Sequence, residues 1–389
     1  MKVAMVYDYS RKKCGIKMYG DVLVGWLRKF GVNVSICDLK NQRYEDSVEA
    51  ALCARRGDIV HTQHEFGLFK GHFGWTQLLY YTILKTLRKF HITTLHTVLT
   101  PSQALTNYIQ FGLPYSKEKP WEAIRGLIIS ALSPFMPVLF SDKLIVHTVR
   151  GYELLPDWAK AKTEFIPHLS PTPSEAVLEK ARQCGKKREV PKTIRVITPG
   201  FLRPTKRYDW AIHALVMLKK EGFEHPVEYT IIGTYQNEDG KIWFEYIKEF
   251  AEQVNEYTEK LGLRINVIEQ FMDKRELIER ACSSDVVLLP YSDPTQEASG
   301  ILHDSLVCGK HIVVPEIGDV KNFPKAFYPF KFENPLETMK EALRRAFEEL
   351  LKGNRCNPWA LAYAYYTSAD KVAKKHVELY SKVRSQIAQ

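Results

Sequence analysis

Several things are missing from this 389-residue sequence, and each absence narrows the reading. The seven cysteines, Cys14, Cys37, Cys53, Cys184, Cys282, Cys308 and Cys356, form no CxxC pair and are odd in number. No Cys/His group has zinc spacing, so no structural metal is expected, and a reduced, cytoplasmic chain is the simplest reading. The opening MKVAMVYDYS has no charged segment leading into an apolar one, so no signal peptide is expected. The longest apolar stretch, Leu127–Phe140, contains Pro134 and Pro137 and is too short to cross a bilayer. There is no fixed-period repeat, no GxGxxG and no visible lysine-bound cofactor motif.

The composition is that of an ordinary globular protein, 45% hydrophobic and 26% charged. It excludes a disordered chain, a collagen and a small disulfide scaffold. The length suits two domains, each able to bury its own core. The formal net charge of +10 is uneven: residues 1–170 hold 22 Lys+Arg against 14 Asp+Glu, the remainder 33 against 31. Such an excess suits nucleic acid, an anionic membrane surface or a phosphate-bearing small molecule. No basic stripe with interleaved aromatics and no nucleic-acid motif is present, so nucleic acid is not an expected partner.

Short β-branched runs alternate with helical patterns, which implies parallel βαβ units. The rhythm breaks at the proline- and charge-rich segment that follows His168, then restarts at Ile194. The expected architecture is α/β, with two Rossmann-like, doubly wound parallel-sheet domains facing a central cleft. The expected limits are 1–170 and 193–370, with a linker at 171–192. A final helix at 371–389 crosses back to the first domain. Ligands in such domains sit beyond the carboxyl ends of the strands, so those residues matter most.

In the first domain, Gly15 stands where a small residue lets a ligand approach a helix N-terminus. His61, His64, His96 and His147 fall at strand ends, where imidazole suits proton transfer or hydroxyl binding. Glu65 could pair with sugar hydroxyls or cap a helix. In the second domain, Arg203 and Lys206 lie three residues apart in a loop that opens a helix, a spacing suited to a diphosphate. Further on, Ser299, Gly300 and Ile301 open a helix whose N–H groups could hold phosphate. Asp304, expected in its first turn, could bind paired hydroxyls or simply favour the helix start.

Four segments together resemble a known class. DIVHTQHEFGLF, TTLHTV, PGFLRPTK and LLPYSDPTQEASGILHDSLVCGKHIVV are similar to successive motifs of GT-B glycosyltransferases, close to the large retaining family numbered four. The resemblance spans nearly the whole chain and is specific for the class rather than for a substrate. It implies a metal-independent, retaining transfer of a sugar from a nucleotide diphospho-sugar to an acceptor hydroxyl, with no cofactor. By position, it implies that Gly15 lies near the donor diphosphate and that His96 contacts the transferred sugar. Arg203 and Lys206 bind the diphosphate, Ser299, Gly300 and Ile301 supply backbone donors, and Asp304 binds the ribose. The family's E-x7-E motif is altered: Gln296 holds its first position, with Glu297 one residue later, and Asp304 replaces the second glutamate. Arg207 and His311 replace a glycine and a proline of the pattern.

The acceptor is expected in the basic first domain, with His64, Glu65 and His147 as contacts. Lys12, Lys13, Lys17, Arg28 and Lys29, with the apolar stretch 111–140, read first as a solvated basic face over a helical hairpin, and alternatively suit a sugar or lipid-linked acceptor and peripheral membrane contact. The alternatives are a nucleotide-sugar-binding protein without catalysis, or an epimerase or phosphorylase on the same fold.

Overall fold

A computed structural model of the chain describes residues 1–10, 14–40, 43–66, 75–109, 120–173, 188–235 and 238–388, with 179, 184 and 186. The chain forms two units: Met1–Leu169 with Ala369–Gln389, and Ser170–Ser368.

The first unit holds a six-stranded sheet of β1 (Lys2–Tyr7), β2 (Asn33–Asp38), β3 (Ile59–His64), β4 (Phe90–Leu95), β5 (Lys143–Val146) and β6 (Thr163–Phe165). The order is β2-β1-β3-β4-β5-β6, and every pair is parallel. Alternate residues of β1 serve opposite faces. Val3, Met5 and Tyr7 pack with Leu23 and Leu27 of the Gly15–Lys29 helix and with Val372, Tyr380 and Val383 of the Ala369–Ala388 helix. Ala4 and Val6 pack with Ala50, Tyr80 and Leu84 of the Tyr44–Ala54 and Trp75–Thr86 helices. Burial on both faces explains the unbroken apolar run KVAMVY. Each fully buried leucine contributes roughly 1.5–3 kcal/mol.

The second unit repeats the plan with β7 (Ile194–Pro199), β8 (Val227–Gly233), β9 (Leu263–Glu269), β10 (Val286–Leu288), β11 (His311–Pro315) and β12 (Tyr328–Phe330). Its order is β12-β11-β10-β7-β8-β9, again all parallel. Val196, Tyr229 and Leu288 face the Tyr208–Lys220 and Pro335–Leu351 helices through Leu215, Leu343 and Phe347. Ile197, Val287 and Val314 face the Gly300–Leu306 and Pro358–Tyr366 helices through Leu302, Leu306 and Tyr363. From β7 the chain winds one way to β8 and β9 and the other way to β10, β11 and β12. The order therefore reverses between the adjacent strands β7 and β10.

Two expectations are corrected. Six cysteines are paired, as Cys37–Cys53, Cys184–Cys356 and Cys282–Cys308, and only Cys14 is free. The pairs lie 16, 172 and 26 residues apart, and tertiary neighbours at such separations leave no spacing signature. The reduced-chain argument for a cytoplasmic location therefore fails. His61 is not at a strand end: β3 continues to His64 because His61–His64 are buried on both sides of the sheet. Among the described residues, no helix is long and apolar enough to cross a membrane.

Candidate functional site

At the reversal point of the second unit, the loop after β7 and the loop after β10 meet. Gly200, with φ +124°, closes β7, and a Cβ there would lie 2.2 Å from the Ile301 side chain. The positive φ is what calls for glycine here; the Ile301 side-chain tip that a Cβ would meet could shift. Ser292 donates from its backbone N–H (3.0 Å) and its hydroxyl (3.2 Å) to the Thr205 carbonyl, which ties the two loops together.

Arg203 is exposed and leads into a single 3₁₀ turn, Pro204–Lys206. Lys206, half-buried, places Nζ 3.2 Å from the centroid of the Tyr291 ring. Loss of hydration pushes its pKa well below the ordinary lysine value; Arg203 pushes the same way and Asp293 opposes. The site thus concentrates positive charge that lacks a full counter-ion. Arg207 adopts the left-handed conformation (φ +42°), which accounts for glycine in the family pattern at this place. Its side chain turns back to Asp209 and lies over Trp210.

The amides of Gly300 and Ile301 make no hydrogen bond among the described residues. That of Ser299 is engaged, donating to Asp319 Oδ2 at 3.1 Å. Ser299 also caps the helix, accepting from Leu302 N, and its hydroxyl meets Tyr291 Oη at 3.0 Å. The helix starts at Gly300 with Ser299 as its cap, as expected, which puts Asp304 one residue beyond the first turn rather than within it. It pairs with Lys274 at 3.0 Å, while burial raises its pKa against that pairing. Gln296 is half-buried, its amide donating to the Ala298 carbonyl. Glu297 is buried, and its carbonyl accepts from Asp319 N. Lys274 and Asp319 escape a motif reading, and Tyr291 and His303 lie within the LLPYSDPTQEASGILHDSLVCGKHIVV segment without being singled out. A tyrosine or aspartate just past a strand end is the only local signal they leave.

In the first unit, β3, β4 and β5 bring a group of histidines together inside the protein. His96, just past β4, lies 4.8 Å from Tyr19 and 4.9 Å from His147, ring centre to ring centre. Its Nε2 meets Gln63 Oε1 at 2.9 Å, so Nε2–H donates and Nδ1 is left as an acceptor. Burial and then the neighbouring imidazoles hold it neutral, well below the usual histidine range. His147 Nδ1–H donates to the Ile166 carbonyl. His64 bonds Tyr81 Oη through Nδ1, and burial lowers it to about 3. Glu65 accepts from Thr97 Oγ1 at 2.8 Å and from Phe66 N at 3.0 Å. An apolar cavity of about 60 Å³, lined by Leu95, Val98, Phe135, Val138 and Leu154 among others, adjoins Thr97.

Gly15 is the first residue of its helix, and a Cβ there would meet nothing within 4 Å. Internal packing therefore does not demand glycine. Of the basic cluster, Lys12 and Lys13 lie outside the described residues, as do 111–119 of the apolar stretch. Lys17 pairs with Asp21, Arg28 donates to the Val34 carbonyl, and Lys29 covers Trp26. Among the described residues, no group of three or more His, Cys, Asp and Glu could hold a metal ion.

No family model and no curated protein matches the chain. Solved structures do. One is Alr3699/HepE of Anabaena in complex with UDP, with TM-score 0.65, 13% identity, and 98% of this chain and 100% of that one covered. Another is α,α-trehalose 6-phosphate synthase from Burkholderia multivorans, with TM-score 0.68, 10% identity and coverage of 100% and 99%. A third is sucrose-phosphate synthase from Thermosynechococcus elongatus, with TM-score 0.65, 11% identity and coverage of 99% each. At these identities the likeness shows the fold, and the fold is that of GT-B glycosyltransferases.

Proposed function

We propose that the chain is a retaining glycosyltransferase that moves a sugar from a nucleotide diphospho-sugar to an acceptor hydroxyl. The observation that carries this reading is the position of Arg203 and Lys206. Both stand at the strand-order reversal of the second unit, where open α/β sheets bind their ligands. Similar folds solved with UDP and with UDP-glucose agree with a nucleotide-sugar donor.

Breaking the bond from the anomeric carbon to the diphosphate oxygen leaves the electron pair, and an additional negative charge, on the terminal phosphate. Lys206 and Arg203 neutralise it, with the Gly300 and Ile301 amides adding hydrogen bonds. A preorganised donor aimed at developing charge is worth roughly 2.7–4 kcal/mol. Asp304, shared with Lys274, offers a carboxylate to the ribose. Gln296 and Glu297 face the sugar hydroxyls. In the first unit, His96 keeps Nδ1 free to accept from a sugar hydroxyl, with Gln63 fixing the tautomer. Gly15 leaves a ligand room to approach the N-terminus of its helix.

The acceptor belongs to the first unit, near the half-buried Glu65, with His64 and His147 buried behind it as support rather than as direct contacts, and an exposed apolar helix face of the same unit favours a lipid-linked acceptor. Trp121, Ile124, Ile128 and Leu132 recur at helical spacing on the Pro120–Leu132 helix, and Trp121 is 82% exposed. Such a stripe suits shallow insertion at a membrane surface. Co-sedimentation with anionic vesicles should fall on Trp121→Ala/Ile128→Ala; no binding by the unmodified protein removes the lipid reading.

The donor reading is tested by product analysis with a panel of UDP-, GDP- and ADP-sugars. Transfer with retained anomeric configuration supports it. Tight nucleotide-sugar binding without turnover would instead leave a binding protein.

A further inference from the structure

Behind the Gln296–Ile301 loop lies a fully buried line of polar side chains. Asp319 is held at 0% exposure. Its N–H donates to the Glu297 carbonyl at 2.8 Å, and its Oδ2 accepts from Ser299 N at 3.1 Å. His303, also at 0%, places Nε2 3.2 Å from the same Oδ2, off the line of an ideal hydrogen bond. Its Nδ1 meets Ser170 Oγ at 2.8 Å. The Ser170 hydroxyl meets Thr367 Oγ1 at 2.8 Å, and its N–H donates to the Thr367 carbonyl at 2.7 Å. Ser170 and Ser368 form an isolated parallel bridge.

The two ends of this line have different jobs. One end is the loop to which the donor site is assigned. The other is the pair of residues, Ser170 and Ser368, at which the chain enters and leaves the second unit. Asp319 Oδ1 has no partner among the described residues, so the buried carboxylate leans on Ser299 N–H and on His303. A buried polar group that loses a partner is destabilised, so displacement of Ser299 or of the imidazole is felt at Asp319. Histidine suits the place because its two ring nitrogens can engage Asp319 and Ser170 at once.

We propose that His303 is a positioning residue that couples occupation of the Gln296–Ile301 loop to the order of the crossover segments at Ser170 and Ser368. A ligand on the loop fixes Ser299 and Glu297, these fix Asp319, and the imidazole carries the restraint to Ser170. The proposal rests on the donor reading above. It goes beyond that reading in assigning work to three residues that no ligand need touch.

Amide hydrogen exchange of the full chain, with UDP, GDP and ADP in turn, tests it. In the unmodified protein the nucleotide that binds should slow exchange both in 296–301 and at Ser170 and 367–369. Ser170→Ala removes the hydroxyl but keeps the backbone hydrogen bond to Thr367. In that variant the loop should still be protected, with Kd within about threefold, while crossover protection is lost and kcat falls about tenfold with KM little changed. His303→Gln, which keeps a donor and an acceptor, should recover part of the effect relative to His303→Leu. Crossover protection undiminished in Ser170→Ala would overturn the coupling alone. Absence of loop protection by any nucleotide in the unmodified protein would overturn the donor reading, and the coupling with it.

Discussion

Lys206 and Tyr291 come from loops that follow two different strands, yet the lysine ammonium stands 3.2 Å from the centre of the tyrosine ring. The ring face is a weak counter-charge, and the site around it is dry enough to push the lysine pKa well down. A diphosphate arriving there supplies the missing negative charge and raises the lysine pKa again. At a pH between the lysine pKa of the free and of the bound protein, nucleotide binding should therefore take up a fraction of a proton. Affinity should fall as pH rises through the pKa of the free protein's lysine. Calorimetric titrations in two buffers of different ionisation enthalpy measure this directly. Lys206→Met should abolish the uptake and weaken binding.

Turnover carries a second expectation. Lys206→Ala should lower kcat by about two to three orders of magnitude, the range found on removing one donor to developing charge. Arg203→Ala should cost less, since its exposed guanidinium is screened by solvent. Steady-state kinetics with the natural donor provides the check.

The first unit should be acid-labile. Burial lowers His61, His64, His91, His96 and His376, to about 3 for His64 and His91 and about 4 for His376. Unfolding releases each to its ordinary value near 6.5. Below that pH the unfolded chain binds more protons than the folded one, so stability drops as pH falls from 6.5 toward 4. Each histidine adds a slope of about 1.4 kcal/mol per pH unit. Denaturant midpoints that stay level from pH 7 to 5 would refute this.

The disulfides make a separate prediction. Without reduction, alkylation in denaturant should modify one thiol, Cys14, and after reduction seven. Loss of a native disulfide costs about 2–4 kcal/mol. Cys282–Cys308 should matter to the site as well. It clamps the Lys274–Ser283 helix just past the end of the Gly300–Leu306 helix, and Lys274 and Asp304 pair across the same two helices. Cys282→Ser should lower the melting temperature and raise KM for the donor.

Much of the fold was legible because parallel strands buried on both faces read as apolar runs. KVAMVY and HIVVP are the clearest. The three-residue edge strands β6 and β12 were not foreseen, since TEF and YPF are too short to show a period. At the site, Arg203 and Lys206 were visible as a motif, and the structure puts them at the β7/β10 reversal. Tyr291 lay inside a recognised segment but its contact with Lys206 was hidden, as were Lys274 and the Asp319–His303–Ser170 line, because those partners are remote in sequence. Ser170 and His303 are 133 residues apart. The histidines of β3 misled in part: His61 and His64 are embedded polar core, each tied to a tyrosine hydroxyl. The cysteine pairs were invisible for the same reason as the buried line, being tertiary neighbours with no local spacing.

The central claim is that the β7/β10 reversal of the second unit is a donor diphosphate site. Isothermal titration of the full chain with UDP, GDP and ADP tests it most directly, comparing the unmodified protein with Arg203→Ala/Lys206→Ala. One of the three nucleotides should bind saturably, with affinity weakened at least about thirtyfold in the double variant, about 2 kcal/mol. Failure of all three to bind, or binding that the double variant leaves unchanged, would contradict it.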